Sequence, residues 1–312
     1  MYTGNDYWKN YMERWFGSEF IDKWASYVSL EKMSSRGRTI QLEVYRTENP
    51  AAPTIVFSHG IAGYARLLLP FVIPLYEKGY NLVVPDLQGY GYNNGTRGDF
   101  DWNTHKENLK DAVKYAKGEF GGPIFIGGAS MGGPLAYSAS CELTGISGLV
   151  CWCLWDFSDR EFMQKETTTK KATYVLLPLF KLVSRFMGMI RFKTYRLISY
   201  DTLTDSNEFN SMIKADPQAG TCITVKGAVS LITQSKPTIE HRAYKLPVLV
   251  LQPEGDQMTP QYYIQKTFNE LGSKNKKLVI IEGAPHFPTQ VKAYNTWSEE
   301  VDRFIQSIYY DK

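Results

Sequence analysis

Short apolar runs alternate with amphipathic stretches along much of this chain, and the alternation predicts its fold. Thr54-Ile-Val-Phe57, Asn81-Leu-Val-Val84, Ile124-Phe-Ile126, residues 149–154, Pro247-Val-Leu-Val-Leu251 and Lys277-Leu-Val-Ile-Ile281 read as strands buried on both faces. Between them, residues 67–78, 104–117, 134–141, about 260–271 and about 291–309 read as helices. Strand–helix alternation of this kind implies an α/β fold, a mostly parallel central sheet with helices on both faces. Residues 38–46 differ, because Ile40, Leu42 and Val44 alternate with polar neighbours. They predict a half-buried antiparallel edge strand at the start of the sheet.

Two segments depart from this rhythm. Residues 7–27 carry Trp8, Tyr11, Met12, Trp15, Phe16, Phe20, Trp24 and Tyr27 at helical spacing, which predicts one amphipathic N-terminal helix within residues 1–30. Its aromatic stripe is expected to pack on the domain or its lid, with partner or membrane contact as the alternative. Residues 157–242 read as helical and loop-like, a cap (lid) insertion that divides the core into 31–156 and 243–312. Within the cap, Lys170, Lys171, Lys181, Arg185, Arg191, Lys193 and Arg196 face no acidic residue between 170 and 200, and apolar residues such as Leu176, Leu179, Phe186, Met189 and Ile190 are interleaved with them. An apolar cap face lining a pocket, backed by a solvated basic face, is one expectation. Peripheral contact with an anionic lipid surface, or with an anionic substrate group, is the other.

Composition narrows the classes. With 21% charged and 43% hydrophobic residues over 312 positions, the chain can bury a large core and is not a disordered segment. A net charge of +3 is too small to point to nucleic acid. Cys141, Cys151, Cys153 and Cys222 are too few for a disulfide framework, and Cys151 and Cys153 alternate on one predicted strand as buried thiols, which fits a reducing compartment. The chain opens Met-Tyr-Thr-Gly-Asn-Asp, without a basic segment leading into an apolar stretch, and no apolar run could span a bilayer. A cytoplasmic protein is expected; its oligomeric state stays open.

The candidate chemistry starts at Gly128-Ala-Ser130-Met-Gly132, directly after the strand 124–126 and before a predicted helix. A serine nucleophile must project from a tight turn, and Gly128 and Gly132 remove side chains that would collide there. The following helix aims its N-terminal N–H groups at the same point. Serine needs a base. Of the four histidines, His286 follows the last predicted strand in Glu282-Gly-Ala-Pro-His-Phe-Pro288 and so reaches the same sheet edge as Ser130. His105 and His241 read as structural or exposed. Asp256, on the loop after the penultimate strand, fits as the carboxylate that orients the imidazole, in the chain order Ser, Asp, His; Asp156 is its main rival and Glu254 a weaker one. Ser58-His59-Gly60-Ile61 follows the strand 54–57, so the Ile61 and Met131 amides are the expected oxyanion donors, with His59 and Gly60 organising the turn.

The set His59-Gly60, Asp86-Leu-Gln-Gly-Tyr-Gly91, Gly128-Ala-Ser-Met-Gly132, Gly255-Asp256 and His286 resembles the α/β-hydrolase superfamily, and within it the monoacylglycerol lipase, lysophospholipase and serine aminopeptidase-like group. The resemblance covers about residues 38–156 and 243–309. It implies an α/β-hydrolase fold, and in that family Asp86 belongs to a structural turn beside the pocket. Ala129 departs from the pattern, since relatives commonly carry histidine there. The expected activity is ester hydrolysis of apolar or lipid-like small molecules through an acyl-enzyme, which needs neither metal nor organic cofactor. An amide or lactone hydrolase on the same residues is the alternative. An aminopeptidase would need cap acids to hold an amine; residues 170–200 have none, although Asp159, Glu161 and Glu166 come just before them. Dehalogenase and epoxide hydrolase relatives place aspartate at the nucleophile position, where this chain has Ser130. A non-catalytic binding module is the reading from another class.

Overall fold

All six predicted apolar runs pair side by side in one sheet. The computed structural model describes residues 6–165 and 172–309, so Glu166, Lys170 and Lys171 lie outside the described residues. The chain begins with α1 (Tyr7–Tyr11), a π-helical turn (Met12–Phe16) and α2 (Glu19–Tyr27), then β1 (Val28–Ser35), β2 (Arg38–Tyr45) and β3 (Thr54–Ser58). There follow α3 (Leu69–Glu77), β4 (Asn81–Pro85), α4 (Trp102–Glu119), β5 (Ile124–Ala129), α5 (Gly132–Ser140) and β6 (Gly148–Trp152). After an intervening segment come β9 (Val248–Pro253), α10 (Gln261–Glu270), β10 (Lys276–Ile281) and α11 (Val291–Tyr309). The segment itself holds α6 (Arg160–Lys165), α7 (Ala172–Met187), β7 (Arg191–Lys193), α8 (Asn207–Ala215), β8 (Cys222–Thr224) and α9 (Val225–Thr233).

The main sheet has the order β1-β2-β4-β3-β5-β6-β9-β10; β1, β2 and β4 pair antiparallel in succession and every other pair is parallel. Because helices cover both faces, Ile55, Val56, Leu82, Val83, Phe125, Ile126, Leu149, Val150, Leu249 and Val250 are all buried. Burying each such side chain is worth about 1.5–3 kcal/mol, so the sheet is the rigid part of the molecule. Six parallel strands, β4, β3, β5, β6, β9 and β10, deliver their carboxyl ends to one edge, where turns gather a site.

Three expectations need correction. The edge assigned to residues 38–46 belongs instead to β1, which pairs from Val28↔Tyr45 to Ser35↔Arg38. Its core side is too sparse in apolar residues to stand out by alternation. The N-terminal helix is broken rather than continuous: Gly17, at φ 98°, ends the π-helical turn, and α2 stops at Tyr27. The break lets Trp8, Tyr11, Met12, Phe16 and Phe20 all face inward and be buried, a wider face than one straight helix could turn to the core. Cys153 has left the strand of Cys151, with φ 68° one residue beyond β6, and all four cysteines are free. The intervening segment holds helices joined by loops, with one small antiparallel pair, β7–β8, that its sequence did not announce.

Candidate active site

Each chemical group arrives on a turn at the carboxyl end of a strand. Ser130 follows β5 at φ 55°, a left-handed conformation that non-glycine residues adopt at a cost and that aims its side chain out of the sheet. Such a turn demands close backbone approach. A side chain at 128 would stand 2.5 Å from the Gly132 backbone, and one at 132 would overlap the Ser58 carbonyl.

His286, after β10, places Nε2 2.7 Å from Ser130 Oγ, and its Nδ1 lies 2.7 Å from Asp256 Oδ2. The loop is anchored from below, where Trp152 Nε1–H donates to the His286 carbonyl at 2.9 Å. Asp256, after β9, accepts from the Met258 and Thr259 amides on Oδ1, both at 2.8 Å, and from the Thr259 hydroxyl on Oδ2. Gln252 Nε2 and the Cys153 thiol donate to Oδ2 as well, at 3.4 and 3.5 Å. Burial disfavours the carboxylate charge, but the His286 ring and the Thr259 donors outweigh it and hold the Asp256 pKa below the ordinary value. This geometry lets Ser130 pass a proton to Nε2 while Asp256 keeps the other ring nitrogen protonated.

Ile61 follows β3 and Met131 immediately precedes α5. Among the described residues neither amide donates to a backbone carbonyl, so both are available to an oxygen above Ser130. His59 lies beneath this turn, fully buried. The Leu87 amide donates to its Nε2 at 3.0 Å and its Nδ1–H donates to the Gly60 carbonyl at 2.8 Å, which fixes a neutral ring. The structure therefore brings Ser130, Asp256, His286 and the Ile61 and Met131 amides together, with Gly60, Gly128, Gly132 and His59 around them. The rivals lie elsewhere. Asp156 Oδ2 faces His241 Nε2 at 3.1 Å, and Glu254 accepts from the Gly283 amide. Asp86 accepts from the Ala65 and Tyr92 amides at 2.8 and 2.7 Å and shapes a turn.

Thr259 was not legible as a site residue, although the Asp256-Gln-Met-Thr259 spacing suits a side chain that closes a local turn onto its aspartate. Cys153, Asp256 and His286 offer donor atoms within 4.8 Å of one another. The Cys153 thiol, which burial pushes well above its usual range, donates to Asp256 Oδ2, so the three groups form a hydrogen-bond network.

Above Ser130 lies a narrow, partly open cavity with mostly apolar walls. Leu67, Leu68, Met258 and Phe287 form its core side, and Ile198, Leu203, Phe209 and Ile213 come from the intervening segment. Ser130, His286 and the indole of Trp152 are the only polar side chains lining it among the described residues.

The buried histidines make stability depend on pH. Burial lowers His59 to about 4 and His105, whose Nε2–H donates to the Gln88 carbonyl at 2.8 Å, to about 3, against 6.5 for a free imidazole. The unfolded chain therefore binds more protons between these values, so the stabilisation is complete above pH 6.5 and declines as pH falls. In His105→Gln, the slope of unfolding free energy between pH 7 and 5 should be shallower by up to about 1.4 kcal/mol per pH unit. Urea titrations at several pH values measure this, and an unchanged slope would contradict it.

The strand order, the turn at Ser130 and the placement of Asp256 and His286 define an α/β-hydrolase fold. A family model described as Hydrolase_4, serine aminopeptidase S33, matches residues 49–289, and the chain belongs to that family. Among solved structures, it is similar to a soluble variant of monoglyceride lipase from Saccharomyces cerevisiae bound to a substrate analogue, at 18% identity and TM-score 0.71, over 90% of this chain and 94% of that one. The monoacylglycerol lipase of Paleococcus ferrophilus matches at 19% identity and TM-score 0.64, over 89% and 96%. A thermostable carboxyl esterase from Bacillus coagulans in complex with glycerol matches at 16% and 0.70, over 90% and 99%. At these identities the likeness is one of fold. No curated protein sequence matches the chain.

Proposed function

We propose that this chain is a serine hydrolase that cleaves carboxylic esters of apolar, lipid-like acyl groups. The observation that carries the reading is the cavity above Ser130, apolar except where it meets Ser130 and His286. Ser130 Oγ attacks the ester carbonyl as His286 Nε2 takes its proton, and the Ile61 and Met131 amides receive the charge that develops on the carbonyl oxygen. The imidazolium returns its proton to the departing alcohol. Water, deprotonated by His286, then attacks the acyl-enzyme and releases the acid and Ser130. Asp256 keeps the ring oriented throughout. Neither a metal nor an organic cofactor enters these steps.

The family's name raises the amide alternative, and the pocket argues against it. Binding a free α-amine in a water-poor site requires an anionic partner. Among the described residues the cavity lining contains no carboxylate, and two acids at the start of the intervening segment are engaged elsewhere: Asp159 pairs with Lys266 at 2.5 Å and Glu161 with Lys165 at 2.9 Å. The neighbours' names, monoglyceride lipase and carboxyl esterase, agree with ester chemistry. A panel of p-nitrophenyl esters from acetyl to palmitoyl, with monoacylglycerols, a lysophospholipid, lactones and aminoacyl anilides, tests the reading. From acetyl to the preferred chain, kcat/KM should rise by about tenfold or more as methylenes enter the cavity. Preference for the anilides would overturn the ester assignment.

The intervening segment acts as the cap in this proposal, and its outer side as a lipid-facing surface in a cytoplasmic protein. Leu179, Leu182, Phe186, Met187, Met189 and Ile190 are exposed there, beside exposed Lys181, Arg185, Arg191 and Lys193. In the N-terminal stripe, in contrast, Trp8, Tyr11, Met12, Phe16 and Phe20 are buried and Trp15, Trp24 and Tyr27 half-buried. No helix among the described residues is long and apolar enough to cross a membrane, so contact would be peripheral. Sedimentation with phosphatidylglycerol vesicles, and none with phosphatidylcholine, is expected; equal recovery with both would remove the electrostatic part of this proposal.

A further inference from the structure

The N-terminal segment lies outside the family match, yet it reaches the site, and one of its links is a buried carboxylate. Asp216 closes the C-terminal end of α8, its amide donating to the Met212 carbonyl at 3.0 Å. Its side chain is fully buried and accepts on Oδ2 from two phenols, Tyr11 of α1 at 3.0 Å and Tyr64 at 2.9 Å, and on Oδ1 from the Gln218 amide at 2.8 Å. The two phenols and the carboxylate they share come from three different parts of the fold. Tyr11 belongs to the N-terminal segment, and Tyr64 ends the turn that carries Ile61. Asp216 itself ends the helix whose Phe209 and Ile213 line the cavity.

Independent contacts converge on the same two objects. The other end of α8 is tied to the N-terminal segment by the Arg14–Glu208 ion pair, and Phe209 is covered by Tyr11 and Trp15, with ring centroids 5.1 and 4.8 Å away. Four residues beyond Asp216, the Gly220 amide donates to the Ala62 carbonyl at 3.3 Å, and any side chain at 220 would overlap the Ile61 carbonyl. The turn is closed on itself by the Gly63 amide on the Gly60 carbonyl at 3.0 Å. The chain leaving Asp216 thus lies directly against the turn that presents the Ile61 amide.

We propose that Asp216 is a positioning residue of the Ser130 site: through Tyr11 and Tyr64 it holds the α8 wall of the cavity and the 60–63 turn in one fixed arrangement. The proposal rests on the ester-hydrolase reading for its kinetic consequences, though not for its structural ones. An oxyanion donor acts on the transition state more than on bound substrate, so loosening the turn lowers kcat, whereas loosening the α8 wall weakens acyl binding and raises KM. Hydrogen bonds to a buried charged group shift local equilibria by about ten- to a hundredfold. The two phenols therefore make separable predictions.

Tyr64→Phe should lower kcat on p-nitrophenyl butyrate by about tenfold with KM within about twofold, and Tyr11→Phe should chiefly raise KM. Both substitutions remove one oxygen and keep the ring, so they spare the fold if Asp216→Ala does not. Hydrogen exchange by mass spectrometry supplies a readout that needs no activity. The peptide over 58–66 should exchange faster in Tyr64→Phe than in the wild type, while the peptide over β9 is unchanged. A lower Tm with wild-type kcat, KM and exchange in both variants would mean that the knot is only structural and would overturn the proposal. A wild-type protein inert toward esters, with the exchange difference still present, would instead overturn the hydrolase reading and leave the tether standing.

Discussion

Ser130→Ala is expected to lower ester hydrolysis by at least about a thousandfold. The argument is geometric. Ser130 Oγ is the one oxygen placed 2.7 Å from His286 Nε2, on a turn whose left-handed φ of 55° directs it into the cavity. Alanine removes the nucleophile and leaves the rest of the site as it was, because the turn is set by glycines 128 and 132 and not by the hydroxyl. Residual turnover from binding and the oxyanion amides alone is the floor. Initial rates with p-nitrophenyl butyrate, checked against an unchanged Tm, measure the effect. Near-normal turnover would remove Ser130 from the mechanism.

Asp256→Asn should cost about three to four orders of magnitude in kcat. The Met258 and Thr259 amides both donate to Oδ1, so an asparagine would keep its carbonyl oxygen there and turn its NH2 toward His286 Nδ1. That nitrogen would then have to accept, which moves the ring proton to Nε2 and leaves Ser130 facing a donor where it needs a base. Asp156→Asn is the matching control. Its carboxylate is engaged with His241, so kcat should stay within about twofold of wild type. Equal losses in the two variants would contradict the assignment of Asp256.

Much of the sheet was legible because a strand buried on both faces must be apolar throughout, and a helix covering it must repeat every three to four residues. The site was legible for a related reason. In a parallel sheet the turns after β3, β5, β9 and β10 reach one edge, so Ile61, Ser130, Asp256 and His286 could be grouped by their position after predicted strands, with the chain order Ser, Asp, His favouring Asp256 over Asp156. What stayed hidden depends on partners distant in sequence. β1 is a strand through its ladder with β2, and Gly17 breaks a helical pattern so that its aromatic residues meet Phe209, Phe287 and Tyr294. The pocket wall at Ile198, Leu203, Phe209 and Ile213 has no local signature, because any apolar residue in a cap has the same spacing whether it faces a cavity or a core. Asp216 reads as an ordinary polar residue before proline until Tyr11 and Tyr64 are seen to meet it.

Covalent labelling tests the central claim most directly. A fluorophosphonate that phosphonylates activated serines should add once, and peptide mapping should place the adduct on Ser130, with none in Ser130→Ala and little in Asp256→Asn. No adduct on the folded wild-type protein, or an adduct on another residue, would contradict the account of Ser130, His286 and Asp256 as an ester-cleaving site.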